Sequence, residues 1–217
     1  MKGLAEKTSR IIDKVALMES IKPYVLVGGT ALSLQIGTRL SEDLDFMKWR
    51  QTRNEKPEVK WAEIERELSA IGKIESRDLL DIDHVEFVVD GVKISFYSSG
   101  NYTPVQNVMR VVGNLVAADP ISIGMMKMEV MLRRSKFRDY YDIYSLIKAG
   151  YDITEMIEGA LAYSRHRLKT KNLLAMLTNG ARFTADSSFK ALEPVYDVGV
   201  EEIEALIKEK LIENKSL

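Results

Sequence analysis

Residues 24–46 read YVLVGGTALSLQIGTRLSEDLDF, and this stretch decides the fold. Residues 24–27 form a short apolar strand pattern, which breaks at Gly28-Gly29. Residues 30–36 have the composition of a helix opening directly after the glycines, and Gly37 supplies its stop. Residues 41–49 then alternate, with Asp43 and Asp45 on one face and Leu44 and Phe46 on the other. Both carboxylates are therefore presented together while the apolar pair enters a core. Strand, glycine turn, helix and carboxylate-bearing strand make a plausible site for a metal-bound phosphate.

Paired carboxylates on one strand face stand about 6 to 7 Å apart at the backbone. At an effective dielectric near 20, unit charges about 5 Å apart repel by roughly 3 kcal/mol. A divalent cation relieves that repulsion, and Mg²⁺ prefers carboxylate oxygens while keeping positions open for phosphates. The pattern Asp-x-Asp is common, and a polar strand face in water is its bland alternative. Glycine lets backbone N–H groups approach a phosphate, and Thr30 adds a hydroxyl near the positive end of the following helix.

Outward from this stretch the chain alternates elements before turning helical. Leu4, Ile11, Ile12, Val15 and Met18 predict an amphipathic helix over residues 4–19. Residues 50–57 read as a polar linker ending in Pro57, which suits the first turn of a helix carrying Trp61, Ile64, Leu68 and Ile71 on one stripe. Val85, Phe87 and Val89 alternate before Asp90-Gly91, and Val92, Ile94 and Phe96 alternate after it, which predicts a hairpin. A two-residue turn there sets Phe87 opposite Ile94 and Glu86 opposite Ser95. Residues 105–118 read as one or two strands broken near Gly113-Asn114. Pro120 opens a helix through Leu132, and a second runs from about Phe137 to Lys148, stopped by Gly150. Helices over 154–163, 165–178 and 200–212 follow. The class is α+β: a mixed sheet flanked by helices, then a helical C-terminal region, with domains cut at 1–150 and 151–217.

Composition bounds the chemistry. The chain has 217 residues, 46% hydrophobic and 29% charged, which is enough for a sizeable core. Lys+Arg 31 against Asp+Glu 32 leaves no global field for a polyanion, so any nucleic-acid surface is local. The absence of cysteine excludes disulfides and thiolate catalysis and suits a cytoplasmic location. No apolar run approaches the roughly 20 residues of a membrane span.

Residues 28–46 resemble the nucleotidyltransferase signature of the AbiEii/AbiGii toxin family, within the DNA polymerase beta-like superfamily. The resemblance rests on Gly-Gly-Thr-Ala-Leu followed by Ser41-Glu42-Asp43-Leu44-Asp45-Phe46. It continues in Lys127, Arg134, Arg138-Asp139 and Asp142-Ile143-Tyr144, and covers residues 24–150. It implies a nucleotidyltransferase-like fold and Mg²⁺-dependent transfer of a nucleotide from an NTP to an acceptor hydroxyl, in characterised members at the acceptor end of tRNA. It further implies the toxin-like part of a toxin–antitoxin pair, with a cognate antitoxin as protein partner. Gly29 and Thr30 would contact the triphosphate, Asp43 and Asp45 would hold Mg²⁺, and Ser41 falls in the active-site motif. Lys127 would contact phosphate, and Asp142 matches a later acidic residue needed for activity.

One departure stands out. Superfamily members commonly carry a third carboxylate on a later strand, where this chain has Ser95. Either that acid is dispensable, or Glu86 opposite Ser95 takes its place as a metal ligand, or activity is lost. The last case leaves a non-catalytic protein of this fold that binds RNA or a protein partner. On one unbroken helix Lys127 and Asp142 would stand about 22 Å apart, so the chain must turn between them, with Ser135 as the expected N-cap of the second helix. Arg138 and Asp142, at i and i+4, alternatively make a surface ion pair. Arg165, Arg167, Lys169, Lys171 and Arg182 form an acid-free basic segment, to which His166 adds charge at lower pH. It suits an RNA backbone, with Tyr163 and Phe183 for stacking, or a solvated helix face. His84 reads as a structural strand residue, and the methionines at 125, 126, 128 and 131 as core packing.

Overall fold

A computed structural model describes residues 2–165, 167–183 and 188–213. His166 and its expected contribution to the basic segment lie outside the described residues. The chain divides into two compact units, Met1–Asp119 and Pro120–Leu217.

The first unit contains helices α1 (Glu6–Val15), α2 (Gly28–Ile36) and α3 (Trp61–Ile71) and seven strands. These are β1 (Val25–Val27), β2 (Leu44–Trp49), β3 (Ile74–Asp81), β4 (His84–Val89), β5 (Val92–Ser99), β6 (Val108–Val112) and β7 (Leu115–Ala118). They form one mixed sheet in the order β3-β4-β5-β2-β1-β7-β6. β2 runs parallel to β5, and β1 runs parallel to β7 but antiparallel to β2. The apolar face of β2 enters the core as its alternation requires, with Leu44 and Phe46 buried and Phe46 stacked on Phe96 at 5.0 Å. Burying a side chain of that size contributes about 2 to 3 kcal/mol, which pins the opposite face of β2 to Asp45.

The hairpin has the expected register, Phe87 opposite Ile94 and Glu86 opposite Ser95. Asp90 (φ 48°) and Gly91 (φ 75°) both take left-handed backbone, as a two-residue turn between twisted strands demands. Strand β3 is the element the sequence pattern misses. It is an edge strand, and Leu79 and Leu80 are adjacent and exposed, so its residues carry no period-two signal. The helix after the polar linker opens at Trp61, not at Pro57, and Trp61 is exposed, with the Arg77 guanidinium 4.9 Å from its ring centre.

The second unit is helical: α4 (Pro120–Val130), α5 (Phe137–Lys148), α6 (Ile153–Tyr163), α7 (Thr170–Leu177) and α8 (Val200–Glu213). Pro120 stands at the first position of α4, where its missing N–H costs no helix bond. Met125, Met128 and Met131 are buried as core residues. The division after Asp119 differs from the expected cut near 150, because the strands already end at Ala118 and α4 and α5 pack with the later helices.

Candidate active site

In the first unit, antiparallel pairing of β1 with β2 sets Asp45 opposite Val27, the residue before α2. Gly28 begins that helix with φ 71°, and a Cβ placed on it would lie 2.7 Å from Asp45 Oδ2. The missing side chain is what lets the carboxylate rest on the helix start. A Cβ on Gly29 would lie 2.6 Å from Arg39 Nη2 and 3.0 Å from Ser41 Oγ. The first turn of α2 carries no acidic side chain of its own, so its backbone N–H groups present a positive end beside the Asp45 carboxylate.

Asp43 and Asp45 are half-buried; Asp45 lies on β2, and Asp43 lies directly before the strand begins at Leu44, outside the expected alternation. Asp45 is fixed from the neighbouring strand: Ser95 pairs with it in register, and Ser95 Oγ donates to Asp45 Oδ1 at 2.6 Å. Thr30, expected beside a triphosphate, is 1% exposed. Its hydroxyl donates to the Asp43 carbonyl, and Ser41 Oγ lies 2.9 Å from it, so it fastens the start of the carboxylate strand to the helix. Arg39 is a residue the sequence reading passed over. It is 4% exposed, and Nη1 donates to the Leu40 carbonyl at 2.9 Å. A basic residue two positions before the Ser-x-Asp-x-Asp run is its only signal.

In the second unit, the chain turns after α4 and brings Lys127 to α5. Lys127 Nζ lies 2.6 Å from Asp142 Oδ2 and 3.0 Å from Asp139 Oδ1. Arg134 grips the same Asp139 with Nε to Oδ2 at 2.9 Å and Nη2 to Oδ1 at 3.1 Å. Asp139 and Asp142, at i and i+3 on α5, share a face, and both are 1% exposed. Burial raises the Asp139 carboxyl, but the Lys127 and Arg134 charges outweigh it and hold the group at about 2. Asp142 is accordingly a buried partner of Lys127. Ser135 does not cap α5: Lys136 is the N-cap, without a side-chain bond, and Ser135 Oγ accepts from Arg182 Nε at 3.0 Å. The sequence assigns Asp139 no role; its position three residues before Asp142 is the available signal.

The sequence matches the family described as "Nucleotidyl transferase AbiEii toxin, Type IV TA system" over residues 11–209. The chain belongs to that family. An uncharacterised protein of Aquifex aeolicus (strain VF5) is 26% identical over 98% of both chains. Among solved structures, MenT4, a nucleotidyltransferase toxin of Mycobacterium tuberculosis H37Rv, is similar with a TM-score of 0.58 at 16% identity, covering 96% of this chain and 84% of its own. A candidate nucleotidyltransferase from H. pylori gives a TM-score of 0.56 at 20% identity, covering 97% of this chain and 98% of its own. These likenesses carry the fold: the mixed seven-stranded sheet with flanking helices is that of nucleotidyltransferase toxins.

The family uses a divalent metal in general, and two half-buried carboxylates beside bare glycine backbone fit Mg²⁺, which takes one or two protein carboxylates and leaves room for phosphates. Glu86 does not extend that pair into a triad. It lies two strands from Asp45, its carboxylate 3.6 Å from both His84 Nε2 and Lys93 Nζ, and no three metal-ligating side chains group together among the described residues. Parts of the basic segment serve packing: Arg182 Nη2 donates to the Met131 carbonyl, Arg167 reaches Glu129 at 3.4 Å, and Phe183 is buried in a stack on Tyr140 at 4.0 Å. Arg165, Lys169 and Lys171 are exposed. No helix among the described residues is long and apolar enough to cross a membrane.

Proposed function

We propose that this chain is an Mg²⁺-dependent nucleotidyltransferase that moves a nucleotide from an NTP to an acceptor hydroxyl, tRNA being the acceptor class, as the toxin of a toxin–antitoxin pair. The observation that carries the reading is the Asp45 carboxylate seated on Gly28 at the start of α2. It joins a phosphate-accepting helix end to the side chains that would hold the metal. Asp43 and Asp45 would bind Mg²⁺, which supplies positive charge to the phosphates when present. Gly28 and Gly29 offer backbone N–H groups to the triphosphate, with Thr30 and Ser41 bracing them from behind. The acceptor oxygen forms a bond to the α-phosphorus, the bond to the bridging oxygen breaks, and pyrophosphate leaves. Lys127 is assigned to the phosphates, and Asp142 to orienting the acceptor hydroxyl or taking its proton. The exposed Arg165, Lys169 and Lys171 suit an RNA backbone.

The test is incubation with each α-labelled NTP, Mg²⁺ and total RNA. Wild type labels RNA, and Asp43→Ala with Asp45→Ala does not. Equal labelling by both contradicts the reading. Absence of labelling with every nucleotide favours the second reading, a non-catalytic member of the fold, for which Ser95 in place of a third carboxylate is the specific observation.

A further inference from the structure

We infer that Asp139 is a positioning residue, holding the Lys127 ammonium in place against Asp142; this rests on the proposed role of Lys127 and Asp142 in transfer. Asp139 is buried and therefore acts through its neighbours. Its own place is fixed by Arg134, whose planar fork binds both carboxylate oxygens. One of those oxygens, Oδ1, also receives Lys127 Nζ at 3.0 Å. The lysine stem has four rotatable bonds, and a single carboxylate partner fixes its amine in distance but not in direction. Two carboxylates one helical turn apart on α5, at 2.6 and 3.0 Å, fix both.

Lys127, Arg134, Asp139 and Asp142 carry two positive and two negative charges. Loss of the Asp139 charge leaves the buried ammonium with Asp142 alone among these carboxylates and releases the half-exposed Arg134 towards water. A buried cation with one anchor instead of two is displaced from the position it holds in the intact cluster. Displacement of a group that contacts the reacting phosphates lowers turnover far more than it lowers nucleotide affinity.

The experiment uses the full chain with an equimolar mix of α-labelled ATP, CTP, GTP and UTP and total RNA, together with the ¹H–¹⁵N signal of the Lys127 ammonium. Asp139→Asn is expected to move that signal and to lower kcat about tenfold or more per folded molecule, with KM for the nucleotides little changed. Arg134→Ala, which loosens Asp139 but leaves its charge beside Lys127, is expected to move the signal by less than Asp139→Asn does. An unmoved signal with wild-type kcat in folded Asp139→Asn overturns the inference. If Asp139→Asn does not fold, Asp139→Glu reads the same two quantities, because it keeps the charge and shifts the carboxylate by one methylene; wild-type values for both overturn the inference there too. Lys127→Ala separates the two levels: transfer at the wild-type rate by that variant removes the lysine from the reaction, whatever Asp139 does.

Discussion

The two acidic clusters of this chain are built in opposite ways. Around Gly28, Asp43 and Asp45 are half-buried, and the Asp45 carboxylate is held by a neutral hydroxyl from Ser95 and a bare glycine backbone. On α5, Asp139 and Asp142 are buried and bound by Lys127 and Arg134, so charge is matched inside the protein. The first arrangement keeps its carboxylates half-buried, where an incoming metal ion could reach them. The second buries its carboxylates against Lys127 and Arg134. The difference teaches where nucleotide and metal enter the account and where protein stability does: removing acid from the first cluster should cost activity, and removing charge from the second should cost folding as well.

The sharpest way to break this contrast is Asp43→Ala with Asp45→Ala. Transfer should fall to background while thermal unfolding shifts little, because the repulsion relieved between two half-buried acids offsets the Ser95 bond that is lost. A large loss of stability would place these aspartates with the structural cluster. Lys127→Ala should lower stability as well as transfer. It removes the ammonium that two buried carboxylates share, Asp139 keeping Arg134, and should cost about 3 to 5 kcal/mol in urea unfolding; an unchanged midpoint would mean that the cluster is not a stabilising one.

The pH dependence sharpens the same division. Asp139 sits at about 2, below its ordinary 3.8, so its contribution is fully present above about pH 4 and is lost as pH falls through 2. The contribution is roughly 2 kcal/mol, and acid unfolding of Asp139→Asn should lack that part of the wild-type slope. Equal slopes in the two proteins would contradict the ion-pair account of Asp139.

Gly28→Ala follows, with an expected cost of about 1 to 2 kcal/mol for placing a side chain at φ 71°. Because the new Cβ would meet Asp45 Oδ2, Mg²⁺-dependent nucleotide binding should weaken beyond what that stability loss explains. Ser135→Ala, the smallest change, should shift stability by less than about 1 kcal/mol, since the neutral hydroxyl of Ser135 accepts a bond from Arg182 and Ser135 is not the N-cap of α5.

Much of the first cluster was legible in the sequence because strand alternation is a strict rule. Leu44 and Phe46 can face the core only if Asp45 faces the other way, and the Asp90-Gly91 turn fixes Ser95 and Glu86 as a pair. The bond from Ser95 to Asp45 was not legible, because it depends on β2 lying parallel to β5, a pairing between strands 50 residues apart. Strand β3 was missed because an exposed edge has no buried face to impose a period. In the second cluster the need for a turn between Lys127 and Asp142 followed from helix rise alone. Which side chains meet after that turn did not, so Ser135 was expected to cap α5 and Asp139 was left without a role. The burial of Thr30 likewise follows from packing of α2 on β2, which hydroxyl chemistry alone does not reveal.

The most direct measurement of the central claim is calorimetry of nucleotide binding with and without Mg²⁺, on wild type and on Asp43→Ala with Asp45→Ala. Wild type should bind at least one NTP only when Mg²⁺ is present, and the double variant should lose that dependence. Mg²⁺-dependent binding of equal strength in both proteins would contradict the assignment of metal and nucleotide to the Gly28–Asp45 cluster.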